Sequence, residues 1–360
     1  MGLLYIGPWL ALLAGLALQG SPLAAAGEPE PLWAYGFLTP PAPGDTAPPQ
    51  PPPSRALRKG EDPAEQQKLR QVEGSEARFS YVDIRDGGHV VDWFPSEHPP
   101  ATPIITLGPA KLGAAAKGCG FCHLTSGRGR PENAPVSGQS TAYFIRQLQD
   151  FRAGNRTSAD PRKPNTPAMI GFAKAMTDSE MAEAAAYFAG IPWKPWIRVV
   201  ETDRVPTTHI EGNLFLVSKP GATEPIAGRI IEVAEDEHQA NDLRNPHSGF
   251  LAYVPRGSLA AGEDLVKTGG ARTVNGTLVA GRTVACAACH GPDLSGLGDA
   301  PAIAGRSPSY LARQLYDLQQ GTRHGQLSAV MKPTVENLRG TDIVAIVAYV
   351  ASIKPKEGGG

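Results

Sequence analysis

Two five-residue stretches of the form Cys-x-x-Cys-His, CGFCH at Cys119 to His123 and CAACH at Cys286 to His290, consume all four cysteines of this 360-residue chain. Two thiols three residues apart can each form a thioether with a vinyl group of one porphyrin, and the imidazole that follows is then placed beneath the iron. The expectation is two covalently bound haem c groups, held by Cys119 and Cys122 and by Cys286 and Cys289, with His123 and His290 as first axial ligands. A structural zinc site fits poorly, because its cysteine pairs normally lie a few tens of residues apart and these are separated by 167. A disulfide or a thioredoxin-like redox pair accounts for the Cys-x-x-Cys spacing but requires no histidine after both pairs.

The pentads belong to an internal repeat. At a constant offset of 167, Gly129, Gly138, Tyr143, Gln147, Leu148, Asp150, Gly154 and Arg156 match Gly296, Gly305, Tyr310, Gln314, Leu315, Asp317, Gly321 and Arg323. Beyond the arginines the offset falls to 162, where Met169, Tyr187, Ala189 and Ile191 match Met331, Tyr349, Ala351 and Ile353. The first copy's connection is thus five residues longer. Helical spacing of apolar residues predicts helices from Ala142 to Arg152 and from Ser309 to Gln319, each ending near a glycine. Closing helices are expected over Met181 to Ala189, capped by Thr177-Asp178, and over Ile343 to Ala351, capped by Thr341-Asp342. Only the second copy has a clear opening helix, Leu259 to Lys267, whose Gly262 invites close approach of Tyr349. In the first copy Pro103 and Pro109 interrupt the equivalent region, so its opening helix is expected to be shortened or replaced, with Val82 to Phe94 as the replacement.

Between the copies, Ile197 to Val200, Leu214 to Val217, Ile230 to Val233 and Phe250 to Val254 read as short strands of a small sheet bracing the two units. A separate substrate domain of this size would bury too little core. The expected organisation is therefore mainly α: an N-terminal extension over residues 27–98, a first haem domain over 99–192, a β-containing connection over 193–257 and a second haem domain over 258–360. The extension carries eight prolines between Pro40 and Pro53, an extended tether without a core of its own. The aromatic cluster just before it, around Trp33 and Tyr35, reads as a plug packed on the body.

Residues 1–26 resemble an export signal: an apolar stretch from Trp9 to Leu18 runs into small residues at Ala24 to Ala26. It lacks an early basic residue, the first in the chain being Arg55. An uncleaved anchor is the alternative, although the apolar run is short for a bilayer span. Export and covalent haem attachment both place the protein in the periplasm, free or membrane-associated. The net charge of −1 gives no reason to expect a nucleic-acid partner. Lys plus Arg against Asp plus Glu runs 10 to 6 over residues 99–192 and 10 to 8 over 258–360, against 7 to 12 over 1–98. The mild cationic excess suits either buried haem carboxylates or an acidic redox partner.

Each iron needs a sixth ligand unless it is to bind a small molecule. Met331 is the only methionine after Met181, and its repeat partner is Met169. Met176 corresponds to Leu338 and, like Met181, is expected in the core. His324 lies near Met331 but matches Thr157, while His89, His98, His209, His238 and His247 lie outside both copies and are expected at the surface or hydrogen-bonded. Two closed, six-coordinate irons would transfer electrons without transforming a substrate.

Taken together, the pentads, the Gly-x-x-x-x-Tyr-x-x-x-Gln-Leu-x-Asp segment with its Gly-x-Arg, the methionine and the closing helix ending Ala-Tyr-Phe-Ala or Ala-Tyr-Val-Ala resemble class I cytochromes c. Each copy is similar to one lobe of the tandem two-haem cytochromes c of bacterial periplasms. The resemblance implies His/Met coordination by His123 with Met169 and His290 with Met331. It also implies electron exchange between a donor, either a quinol-oxidising complex or a dehydrogenase, and an acceptor such as a terminal oxidase. The additional N-terminal extension and the insert, unusual for such carriers, make a docked subunit of a larger oxidoreductase assembly, with membrane-complex association, an alternative to a free shuttle. A two-haem peroxidase, with one five-coordinate iron, is the competing function; a haem-based sensor is another.

Overall fold

The computed structural model describes residues 31–35 and 62–355. The expected signal and proline-rich tether lie outside the described residues. Among the described residues the chain is helix-rich with several small sheets, and no helix is long and apolar enough to cross a membrane.

The first copy contains the pentad turn Cys119–His123, then α1 (Thr141–Ala153), α2 (Asn165–Ala175) and α3 (Asp178–Ala189). Ser140 accepts a hydrogen bond from the Tyr143 N–H to start α1, and Gly154 ends it at φ +79°, a backbone region that favours glycine. A reciprocal Thr177–Glu180 capping box opens α3. The replacement opening helix is not Val82 to Phe94, where only Tyr81–Arg85 is helical. It is the single turn Pro103–Thr106, whose Ile104 and Ile105 join the first copy's core with Leu148, Met181 and Phe188. Pro103 starts this turn instead of breaking it, because the first helical position needs no donor. Tyr81, Ile84, Trp93 and Phe94 form a separate small core of the extension with Leu243 of the connection.

The second copy comprises α4 (Ser258–Thr268), the pentad turn Ala287–His290, α5 (Pro308–Gln319) and α6 (Gly340–Ser352). A Cβ on Gly262 would lie 2.0 Å from the Ala345 carbonyl oxygen and 2.7 Å from Tyr349 Cβ, so only glycine permits the crossing of α4 and α6. The α6 cap differs from expectation: Thr341 and Asp342 lie in the first turn, and the Asp342 carboxylate reaches back to the Arg339 N–H at 3.0 Å while pairing with Arg282 at 2.6 Å. The second copy also carries a hairpin that the sequence pattern did not reveal, Arg272–Val274 with Thr277–Val279.

The connection supplies β1 (Ile197–Glu201), β2 (Arg204–Pro206), β3 (Thr208–Glu211), β4 (Leu214–Val217), β5 (Thr223–Pro225), β6 (Ile231–Ala234) and β7 (Phe250–Val254). β7 lies centrally, parallel to β1 and antiparallel to β6. Ile231, Val233 and Val254 join the core of the second copy, together with Trp33 and Tyr35 of the N-terminal segment. Trp196 and Phe250 pack in a cluster beside the first copy, and Trp196 Nε1 donates to the Arg128 carbonyl at 2.8 Å. The sheet therefore braces both units.

One acidic side chain ties sheet to helix. Glu232 on β6 is 1% exposed, and its carboxylate accepts from the Ser309 N–H at 2.6 Å, from the Ser307 hydroxyl at 3.0 Å and from the Ser309 hydroxyl, at the N-cap and first turn of α5. Burial is the dominant influence and pushes its pKa above the ordinary glutamate value, against the lowering effect of these bonds. The native state then binds the proton more readily than the unfolded chain does, so Glu232's contribution to stability is complete below about pH 4.3 and declines as pH rises through the native pKa. Glu232→Gln, which has no proton to lose, should not show that decline. Denaturant unfolding of both proteins across this range checks it, and a pH-independent difference between them would contradict the assignment.

Candidate functional site

Both pentads open onto cavities between their helices. In the second copy a cavity of about 270 Å³ is lined by Cys286, Cys289, His290 and Met331, with Leu311, Leu318, Ile346 and Val347 among its apolar walls. In the first copy two cavities of about 130 and 40 Å³ both include His123 and Met169 on their walls, and the smaller also includes Cys119 and Cys122 against Phe144 and Phe188. All eight residues singled out from the sequence thus line cavities, copy by copy. The two methionines differ locally: Met169 sits within α2, whereas Met331 ends the short turn Ser328–Met331.

Met176 also lines the smaller first cavity, as its repeat partner Leu338 lines the second. Met181 is 1% exposed in the core. His324 is exposed, with Nδ1 against the Gly321 carbonyl at 3.0 Å. Each of the five remaining histidines has a hydrogen-bond partner: Asp86 for His89, Asp92 for His98, Ser218 for His209, Asp242 for His238 and Glu97 for His247.

The pentad histidines are oriented identically. His123 Nδ1 lies 2.8 Å from the Ala134 carbonyl and His290 Nδ1 2.8 Å from the Pro301 carbonyl, the matching residue of the repeat. A carbonyl only accepts, so Nδ1 carries the proton and Nε2 is left to ligate. Burial lowers both imidazole pKa values, favouring the neutral, ligating form. Burial likewise pushes Cys119 to about 12 and Cys286 to about 11, which disfavours a thiolate and suits the uncharged thioether of an attached haem. Several buried polar atoms on these walls have no hydrogen-bond partner: Lys163 Nζ, Ser158 Oγ and Glu132 Oε2 on the first cavity, Arg323 Nε and Arg146 Nε on the second, and Gln139 Oε1 on both. Four of these six can donate, as the carboxylates of a haem require. The residues present fit haem c in both copies.

The cavities meet at a polar partition. On α1, Tyr143 and Gln147 lie four residues apart on one face, and Tyr310 and Gln314 repeat them on α5; all four line cavities of both copies. Arg156 donates to Gln147 Oε1 at 3.0 Å and across the boundary to Gln314 Oε1 at 2.7 Å, while Arg323 donates to Gln314 Oε1 at 3.1 Å and back to Tyr143 Oη and Gln147 Oε1 at 3.0 and 2.9 Å. Backbone bonds from Thr157 to Thr322 and from His324 to Asn155, both 2.8 Å, close the seam. The repeat marked these residues without disclosing that they face each other. A polar stripe on an otherwise core-facing helix was the available signal.

Solvent access differs between the copies. Phe121 of the first pentad lies beneath the Arg244 guanidinium, 4.5 Å from its ring centre, and Arg244 also donates to the Phe121 carbonyl. In the second copy Cys289 is exposed, and Val284 and Val330 on the cavity rim are 52% and 61% exposed.

Each of the two repeats brings a Cys-x-x-Cys-His turn and a methionine to a cavity, and a polar seam joins the two. Residues 275–354 match the family model for cytochrome c. The chain is 26% identical over 269 residues to a cytochrome c4 of Azotobacter vinelandii, spanning 70% of this chain and 97% of the relative. It is 25% identical over 248 residues to a thiosulfate dehydrogenase electron acceptor of Stutzerimonas stutzeri, spanning 68% and 83%. A crystal structure of reduced cytochrome c4 from Pseudomonas stutzeri is similar at 21% identity and a TM-score of 0.40, covering 69% of this chain and 97% of that one. The chain is a homologue of the cytochrome c4-like two-haem class I cytochromes c, and the relatives it matches are electron-transfer cytochromes.

Proposed function

We propose that this chain carries electrons through two covalently bound haem c groups in the periplasm, from a quinol-oxidising complex or a dehydrogenase to an acceptor such as a terminal oxidase. The similarity to a thiosulfate dehydrogenase electron acceptor favours a dehydrogenase among these donors. One observation carries the reading: in each copy a histidine and a methionine line the same cavity. Haem c, when bound, supplies a one-electron ferrous/ferric couple.

The residues do the rest. Cys119 with Cys122 and Cys286 with Cys289 fix the two groups, and His123 and His290 present Nε2. Met169 and Met331 offer soft thioethers that favour the ferrous state. Leu311, Leu318, Ile346 and Val347 exclude water from the second cavity, and the Tyr143–Gln147–Tyr310–Gln314 partition keeps the two sites adjacent. Exposed Cys289 and its apolar rim make the second copy the accessible side for a redox partner, whereas Arg244 covers the pentad of the first.

Carbon monoxide separates this function from a peroxidase or a gas sensor, since both of those need an open position on iron. Added to the reduced protein, it should leave the absorption spectrum unchanged. A carbon monoxide adduct at low ligand concentration would contradict the proposal.

A further inference from the structure

Lys163 is 3% exposed and lies in the long connection between Arg156 and Met169, on the wall of the larger first-copy cavity. Its Nζ has no hydrogen-bond partner, nor does Ser158 Oγ on the same wall. Three carboxylates favour its charged form, those of Glu132, Asp317 and Asp160. Each is already engaged. Asp160 is held by Arg162 through two bonds of 3.1 and 3.0 Å, Asp317 Oδ1 accepts from Tyr35 Oη and the Ala159 N–H at 2.8 Å each, and Glu132 pairs through Oε1 with Arg130. Glu132 Oε2, on the same wall, is without a hydrogen bond and so is not bonded to Lys163 Nζ. Arg313, the neighbouring cation, is bound to the carbonyls of Ala34 and Pro131 and gives Lys163 no relief.

A buried ammonium without an anion is unfavourable, and burial drives its pKa well below the ordinary lysine value. Since none of the three carboxylates is hydrogen-bonded to Lys163 Nζ, the ammonium is left to take an anion from outside the polypeptide. The second copy's connection has no counterpart of Lys163: it is five residues shorter, and the stretch between Arg323 and Met331, HGQLSAV, contains no lysine and no carboxylate.

We propose that Lys163, with Ser158 as a second donor, binds a carboxylate of the first copy's haem and thereby raises the reduction potential of that haem alone. The proposal rests on the two-haem reading and deepens it by making the two sites electrostatically unequal. A cation fixed beside the group opposes the additional positive charge of ferric iron, most effectively where water is excluded.

Spectroelectrochemical titration of the holo-protein tests it, with the second haem's wave identified as the one displaced in Met331→Ala. Lys163→Gln should lower the ferrous-to-ferric ratio of the first haem at fixed ambient potential about tenfold, which is about 59 mV for a one-electron couple. Lys163→Arg, which keeps the charge, should leave that wave near its original position. Two unmoved waves in Lys163→Gln, or an equal drop in Lys163→Arg, would overturn the assignment. Should Lys163→Gln not accumulate, Ser158→Ala should lower the same wave by a smaller amount, and an unmoved wave there would be equally adverse. A haem count on the same samples separates the failures: two haems with no shift refute only the role of Lys163, whereas fewer than two in the unaltered chain refute the reading beneath it.

Discussion

A chain carrying Cys286→Ala and Cys289→Ala should retain one covalently bound haem after denaturing extraction where the unaltered chain retains two. The thioethers are the only bonds of the second copy that survive such treatment, so the effect is all or none for that site. Folding should suffer as well. Without its occupant, the cavity of about 270 Å³ beneath α5 and α6 is empty or partly collapsed, and at about 24 cal/mol per Å³ an uncollapsed void costs up to about 6 kcal/mol. That is comparable with the whole stability of an ordinary domain. The first copy's core, built from Ile104, Ile105, Leu148 and Phe188, does not line this void, and that copy should keep its haem. Two haems retained by the variant would show that these cysteines do not hold one.

Met331→Ala should abolish about half of the weak ferric absorption band of methionine-ligated haem, leaving the share due to Met169. It should also lower the reduction potential of the second haem and open one position per chain to carbon monoxide. The chain has no ready substitute: His324 is exposed and bonded to the Gly321 carbonyl, and no other histidine is found between His290 and Met331. Thr334, whose hydroxyl lies 3.7 Å from the Met331 sulfur, would lose a weak contact only. An unchanged band would move the ligand elsewhere.

Much of the site was legible because each copy acts as a control for the other. Met169 stands out from Met176 and Met181 only through its pairing with Met331, and the matched Tyr, Gln and Arg residues prove to be the seam between the lobes. Periodicity placed α1, α3, α4, α5 and α6 because apolar residues recur at helical spacing along each. It was less informative where a single residue decides the backbone. Pro103 was read as a breaker but starts a turn, and Asp342 caps α6 from inside its first turn. β2, β3 and β5 are three or four residues long and rich in polar residues and proline, so no run of apolar residues announces them. Lys163 and Glu232 were not distinguishable from surface charges, since their burial depends on the longer connection and on the β sheet, neither of which has a repeat partner.

The central claim is that one tethered haem occupies each of two equivalent cavities. A pyridine haemochrome assay on the purified mature protein, set against its chain concentration, tests it most directly. The account predicts two haem c groups per chain; one or none would contradict it.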